Sequence, residues 1–217
     1  MTRFVEQLKI TELFHSLQGE SVHAGLPTVF IRLTGCPLRC AYCDTSYAFS
    51  GGILTSLNDI LTEVASYQCK QVCVTGGEPL AQPACTSLLR RLCDDGYSVS
   101  IETSGALDIA PIDQRVMIVM DLKTPDSLES GKNRLANLSS LKPTDQIKFV
   151  LCSRKDYEWA CSMIDEHELD RRVQLLFSPS WDQLNPTELA SWILADKLPV
   201  RFQIQLHKVL WGTVAGH

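Results

Sequence analysis

Apolar positions along this chain fall into two alternating rhythms. Short runs rich in Val, Ile and Phe at 28–33, 71–75 and 146–151 predict strands. Between them lie stretches whose apolar residues recur every three or four positions. Ser56-Leu-Asn-Asp59 has the form of a capping box, and Leu57, Ile60, Leu61, Val64 and Ala65 then fall on one helical face. A second helix is expected over about 83–95, because Pro83 suits a first turn and Gly96 follows the end. Further strands are predicted at 97–102, 116–121, 173–177 and 202–206, and further helices at 154–167 and 186–196. The run 9–14 is expected to add a strand at one edge.

Strands alternating with helices imply right-handed crossovers and a mostly parallel sheet. The chain therefore reads as one α/β domain over 1–217. With about six to seven strands, it suggests an incomplete parallel β/α barrel, since a full eightfold barrel typically needs about 250 residues. Six polar motifs follow predicted strand ends: the cysteine loop 35–45, Gly76-Gly-Glu-Pro79, Glu102-Thr-Ser-Gly105, Asp121-Leu-Lys-Thr-Pro125, Ser178-Pro179 and His207-Lys208. In parallel α/β proteins those ends open on one face, where ligands bind.

Composition narrows the class. With 217 residues, 45% hydrophobic and 21% charged, the chain suits a globular domain with a sizeable core. A net charge of −5 argues against a sequence-independent nucleic-acid binder, which must neutralise phosphates. No run approaches the roughly 18 apolar residues of a membrane span, and the first residues do not resemble a signal peptide. Nine cysteines, an odd number with one tight cluster, point to a reducing cytoplasm. Cys69, Cys73, Cys85, Cys93, Cys152 and Cys161 lie singly in apolar patterns and are expected to pack as small hydrophobes. Trp159, Trp181, Trp192 and Trp211 are expected to be packing residues too.

The remaining three, Cys36, Cys40 and Cys43, form a C-x3-C-x2-C run in Gly35-Cys-Pro-Leu-Arg-Cys-Ala-Tyr-Cys-Asp44. A structural zinc site takes four protein ligands, and an ordinary [4Fe–4S] site takes four cysteines. Three thiolates suggest a cluster with one iron left open for a small molecule. A zinc knuckle completed by a distant residue is the other reading of the loop.

This spacing, with Tyr42 before the last cysteine, resembles the radical S-adenosylmethionine (SAM) enzymes. Gly76-Gly-Glu-Pro79, one β-α unit later, is similar to their second motif. The resemblance narrows through Phe14-His-Ser-Leu-Gln-Gly-Glu20, Gly25-Leu-Pro-Thr-Val-Phe-Ile-Arg32, the cysteine loop through Thr45, and Val74-Thr-Gly-Gly-Glu-Pro-Leu80. With Glu102-Thr-Ser-Gly105, Asp121-Leu-Lys-Thr-Pro125 and Gln205-Leu-His-Lys208, it looks like the 7-carboxy-7-deazaguanine synthase family over nearly the whole chain.

That resemblance implies a [4Fe–4S] cluster on Cys36, Cys40 and Cys43, whose open iron is chelated by SAM. One electron then cleaves the sulfonium, and the resulting radical takes hydrogen from C6 of 6-carboxy-5,6,7,8-tetrahydropterin. The ring contracts to 7-carboxy-7-deazaguanine with loss of ammonia, a step toward queuosine and other deazapurines. It implies Mg2+ on Thr45, and SAM contacts from Tyr42, Asp44, Gly76, Gly77, Glu78, Ser104, Lys123 and Ser178. It implies substrate contacts from Leu17, Gln18, Gly19, Thr75 and His207, with Arg32 on the substrate carboxylate. Glu20 is expected to brace its loop, and Glu102 to meet SAM or the substrate rim. It further implies a homodimer, an electron donor such as flavodoxin or ferredoxin, and a segment 202–217 closing the barrel mouth. Two features depart from the pattern: Ser21 stands where many relatives carry glycine, and the linker 46–55 is short enough to lack an additional helix.

Two other readings remain open on the residues. A radical-generating activase acting on a protein partner shares the cysteine loop, but leaves Arg32 and Gln18-Gly-Glu20 unexplained. A non-catalytic zinc-binding interaction module is the reading from outside enzymes.

Overall fold

The computed structural model describes residues 6–212, 214 and 216. One nine-stranded sheet organises them, in the order β3-β1-β2-β4-β5-β6-β7-β8-β9. The strands are β1 (Gln7–Leu17), β2 (Pro27–Leu33), β3 (Ile53–Ser56), β4 (Gln71–Gly76), β5 (Ser98–Thr103), β6 (Met117–Asp121), β7 (Gln146–Leu151), β8 (Gln174–Pro179) and β9 (Arg201–Phe202). The run from β2 through β4 to β9 is parallel throughout, while β1 pairs antiparallel with both β2 and β3. The sheet ends in β3 and β9 and does not close, which gives the expected partial barrel with an antiparallel extension.

Five α-helices accompany it: α1 (Leu57–Ser66), α2 (Cys85–Asp94), α3 (Arg154–His167), α4 (Pro186–Asp196) and α5 (Leu206–Trp211). Local chemistry starts three of them. The side chains of Ser56, Ser153 and Asn185 accept from the backbone N–H of Asp59, Asp156 and Thr187, satisfying donors that a first turn leaves open. In α1, Leu57, Ile60 and Val64 are buried as the spacing predicts, whereas Ala65 is exposed.

Alternation along the strands separates core from site. Ile31 and Leu33, Val72 and Val74, Val99 and Ile101, Ile147 and Phe149 join Ile60, Leu88, Tyr157 and Leu189 in one core under the helices. Tyr157 and Phe149 each meet Phe177 edge-on, at 5.9 and 5.4 Å between ring centres. The intervening residues Arg32, Thr75, Glu102, Asp121 and Lys148 point to the opposite face. Register aligns them, with Arg32 beside Thr75 and Asp121 beside Lys148.

Two expectations need correction. The strand expected at the edge is internal, because β3 pairs outside it. β3 begins inside the linker 46–55 and runs one residue past it; the linker also forms a turn of 3-10 helix at Ser46–Phe49 and contains no α-helix. Residues 202–206 alternate apolar and polar like a strand, yet only Arg201–Phe202 pairs with β8, and the chain turns into α5 at Leu206.

Candidate active site

A cavity of about 530 Å³ opens at the C-terminal ends of the parallel strands. Cys36, Cys40 and Cys43 line one side of it; Gln18, Arg32, Thr75 and Glu102 line another. All nine cysteines are free. Among the described residues no three His, Cys, Asp or Glu side chains are gathered into a ready-made metal cage. The fit to an iron–sulfur cluster therefore rests on the donor set, three free thiols on one loop opening on one cavity.

Backbone contacts hold that loop. Gly35 N–H donates to Ala48 O at 2.8 Å, Glu78 N–H to Gly35 O at 2.8 Å, and Ala41 N–H to Ser127 O at 3.0 Å. Such close approach requires Gly77, where a Cβ would stand 2.2 Å from Gly35 O and 2.9 Å from the Cys36 Cβ. Burial pushes the Cys36 and Cys40 thiols up, and the nearby Lys123 ammonium draws them back toward thiolate.

The wall across the cavity is polar and ordered. Arg32 Nε donates to Glu12 Oε1 at 2.5 Å, and its guanidinium carbon lies 5.7 Å from the Phe14 ring centre. Burial opposes its charge, but Tyr47 and Glu12 outweigh that and raise its pKa. Tyr47 also donates to Glu12, and burial with that carboxylate pushes the phenol up to about 12. Glu102 accepts from Gln18 Nε2 at 3.3 Å and from Thr75 Oγ1 at 3.0 Å.

A buried ionic chain joins the two sides. Glu20, which follows the Leu17–Gly19 stretch, accepts from Lys148 Nζ at 2.6 Å and from Gln205 Nε2 at 2.9 Å. Lys148 also stands 3.4 Å from Asp121 Oδ1, and Lys123 donates to Asp121 Oδ2 at 2.5 Å. Burial favours neutral forms throughout, yet these pairings prevail, lowering the pKa of Glu20 and Asp121 and raising that of both lysines. Gln205 reaches Asp44 as well, and Lys208 Nζ lies 2.9 Å from Asp44 Oδ2. Burial resists ionisation of Asp44, but Lys208 holds its carboxyl far below the usual range.

Residues 30–137 match the radical SAM superfamily profile. A 7-carboxy-7-deazaguanine synthase of Koribacter versatilis is 41% identical, the match covering 94% of this chain and 97% of the relative. One of Chlorobaculum tepidum is 42% identical, covering 94% of each. The chain belongs to the 7-carboxy-7-deazaguanine synthase family. Its fold is similar to the crystal structure of QueE from Escherichia coli, with a TM-score of 0.72 at 24% identity over 93% of this chain and 95% of that one. Membership of this enzyme family overturns the zinc-module reading, and it does not favour the activase.

Most residues expected to serve the family's chemistry share the one cavity. Leu17, Gln18, Gly19, Arg32, Thr75 and His207 line it, as do the three cysteines, Tyr42, Asp44, Thr45, Gly76, Gly77, Ser104 and Lys123. Two expected SAM contacts are not on its wall. Glu78 is fully buried; its carboxylate accepts from Thr103 Oγ1 at 2.9 Å, Ser104 N–H at 2.7 Å and Leu80 N–H at 3.0 Å, so it ties the end of β4 to that of β5. Ser178 is 1% exposed within β8, and Ser180 two residues on lines the cavity instead. Trp181, expected to pack, also lines the cavity, with Lys208 Nζ 6.0 Å from its ring centre. Lys148 and Gln205 were missed as site residues. The polar residues Gln146 and Lys148, two apart in a strand otherwise apolar, were the available sign that β7 turns polar groups inward.

Proposed function

We propose that this chain converts 6-carboxy-5,6,7,8-tetrahydropterin into 7-carboxy-7-deazaguanine and ammonia, with the site residues acting as follows. The observation that carries the reading is one cavity holding both a three-cysteine loop and the Arg32–Gln18–Glu102 wall. Cys36, Cys40 and Cys43 would hold a [4Fe–4S] cluster, and Tyr42, Gly76, Gly77, Ser104 and Lys123 the SAM beside it. Together these groups supply a one-electron route to removing hydrogen from C6 of the pterin.

The protein's own share is binding, orientation and exclusion of water. Arg32, fixed through Nε by Glu12, presents its remaining N–H groups to the substrate carboxylate. Gln18 and Glu102 offer an amide and a carboxylate to the donor–acceptor edge of the pterin, and Thr75 fixes the carboxylate. Burial lowers the His207 pKa, so its imidazole stands neutral near pH 7 against the Gly19 backbone. Asp44 and Thr45 bring a carboxylate and a hydroxyl to one edge of the cavity, oxygen donors of the kind Mg2+ prefers. The segment 202–217, part of which lies outside the described residues, would close the mouth above them as part of one domain over 1–217.

A cytoplasmic homodimer fed by a flavodoxin or ferredoxin completes the proposal. No described helix is long and apolar enough to cross a membrane. The test is anaerobic incubation of cluster-loaded protein with the tetrahydropterin acid, SAM and reductant. A deazapurine and ammonia should form in equal amounts. Fully loaded protein that gives neither would overturn the assignment, and product formation only on a protein partner would favour the activase.

A further inference from the structure

We propose that Lys148 is a positioning residue that locks the substrate-side loop to the cofactor-side strand end, a role that rests on the function proposed above. Lys148 is 8% exposed, in the middle of β7, on the cavity wall. It sits between carboxylates from two distant parts of the chain, 2.6 Å from Glu20 Oε2 and 3.4 Å from Asp121 Oδ1.

Each carboxylate is otherwise committed to its own side. The second oxygen of Glu20 accepts from Gln205, and that of Asp121 from Lys123, whose Nζ lies 5.9 Å from the Tyr42 ring centre. Asp121 Oδ1 is buried and has no hydrogen-bond partner, and the Lys148 ammonium faces it at 3.4 Å, adding to the compensation that Lys123 gives at the other oxygen. Glu20 immediately follows Leu17, Gln18 and Gly19, and Asp121 is two residues from Lys123. Among the described residues the Lys148 ammonium is thus a cation paired with a carboxylate on each side, while Gln205 joins Glu20 to Asp44 without adding charge.

Removing it leaves Glu20, Asp121 and Glu102 lining the cavity, with Lys123 and Lys208 as the remaining lysines there. Like charges that close in a poorly solvated wall repel, and the two sides separate. Hydrogen transfer between two bound molecules requires their reacting atoms at about 3–3.5 Å, and a shift of about 1 Å costs about 100-fold in rate. The expected failure is therefore misalignment, with each partner still bound and each side still folded.

The experiment compares wild type, Lys148→Met and the double variant Glu20→Gln/Lys148→Met. Four quantities are read: iron per chain, calorimetric affinity for the tetrahydropterin acid, product rate, and SAM consumed per product formed. For K148M the expected result is wild-type iron content, a loss of about 100-fold in product rate, and more SAM consumed per product. The double variant, which removes the stranded charge at Glu20, should recover part of the coupling. If K148M takes up no iron, Lys148→Arg, which keeps the charge, must retain both iron and coupling.

The proposal is overturned if K148M couples as wild type does, if its rate falls only in proportion to lost iron, if the double variant is no better coupled, or if K148R fails where it is needed. Wild type that makes no deazapurine would instead sink the proposed reaction, so the two failures are distinguishable.

Discussion

His207 packs so closely on Gly19 that a methyl group at residue 19 would stand 2.2 Å from its Nδ1. The same methyl would lie 3.2 Å from the His207 backbone N, so rotating the imidazole alone does not relieve the contact. Leu206 N–H also donates to Gly19 O at 3.0 Å, which seats the start of α5 on this residue. Gly19→Ala should therefore displace the C-terminal segment from the substrate wall. Overpacking of this kind costs about 1–3 kcal/mol, which, if taken from binding, corresponds to a loss of about 5- to 150-fold in affinity for the tetrahydropterin acid. Calorimetric titration checks it; unchanged affinity would remove the His207–Gly19 contact from the binding surface.

Gly77 carries a parallel constraint on the cofactor side. A methyl group there would meet backbone, Gly35 O at 2.2 Å and Gly35 C at 2.7 Å, so no flexible side chain can yield. Gly77→Ala should push the cysteine loop off the end of β4 and lower iron per chain after anaerobic reconstitution. Far-ultraviolet circular dichroism should change little, because the loop contributes little to the core under the helices.

Cys40→Ala separates cluster chemistry from folding. Cys40 is half-buried and lies outside the main core, so its removal should shift stability by about 0.5 kcal/mol or less. Iron uptake and activity should both be lost while thermal unfolding stays cooperative near the wild-type midpoint. Collapse of the fold instead would indicate that the loop is a structural metal knuckle.

The fold was legible where burial follows a regular period. Strands β4 and β7 and helices α3 and α4 start and end within about a residue of the expected positions, because each buries one face of an apolar pattern. Strand β3 left no such trace. Ile53 and Leu54 are 76% and 61% exposed, and pairing with β1 orders them without a hydrophobic face. At the site, strand-end motifs located the cavity but not which way each side chain turns. Glu78 follows the wall residue Gly77 but turns its carboxylate onto Thr103 and Ser104, and Ser178 pairs beside Val150 yet is buried short of the cavity wall. Lys148 was hidden for the converse reason, a charge placed mid-strand whose partners Glu20 and Asp121 come from elsewhere in the chain.

Ser21, where the family resemblance leads one to expect glycine, sits at φ +69°, the left-handed region that glycine enters freely. Serine meets this conformation at a cost of about 1 kcal/mol. Its Oγ offsets part of that by accepting from His23 N–H at 3.1 Å, while its own N–H donates to Gln203 Oε1 at 2.9 Å. Ser21→Ala keeps the strain and loses the hydroxyl, and should destabilise by about 1 kcal/mol. Ser21→Gly exchanges one effect for the other and should fall within about 0.5 kcal/mol of wild type. Denaturant titration of the three proteins decides; equal stability of S21A and wild type would mean the hydroxyl offsets nothing.

The Glu20–Lys148 pair fixes a pH window for stability. Burial alone would raise the Glu20 pKa, but Lys148 and Gln205 reverse this and hold it below its ordinary value of 4.5. A carboxyl whose pKa is depressed by folding stabilises the protein fully above that ordinary value, and the stabilisation is lost as pH falls through the lower folded value. Lys148, with its pKa raised above 10.5, changes stability only at the alkaline end and does not mask this limb. Cluster-free protein should therefore show a thermal midpoint that falls as pH drops below about 4.5. Glu20→Gln cannot ionise, so its midpoint should fall less steeply over the same range, the remaining slope coming from Asp121 and Asp44, whose pKa values are also depressed. Identical acid slopes in the two proteins would show that folding does not depress the Glu20 pKa, contrary to its contact with the Lys148 ammonium.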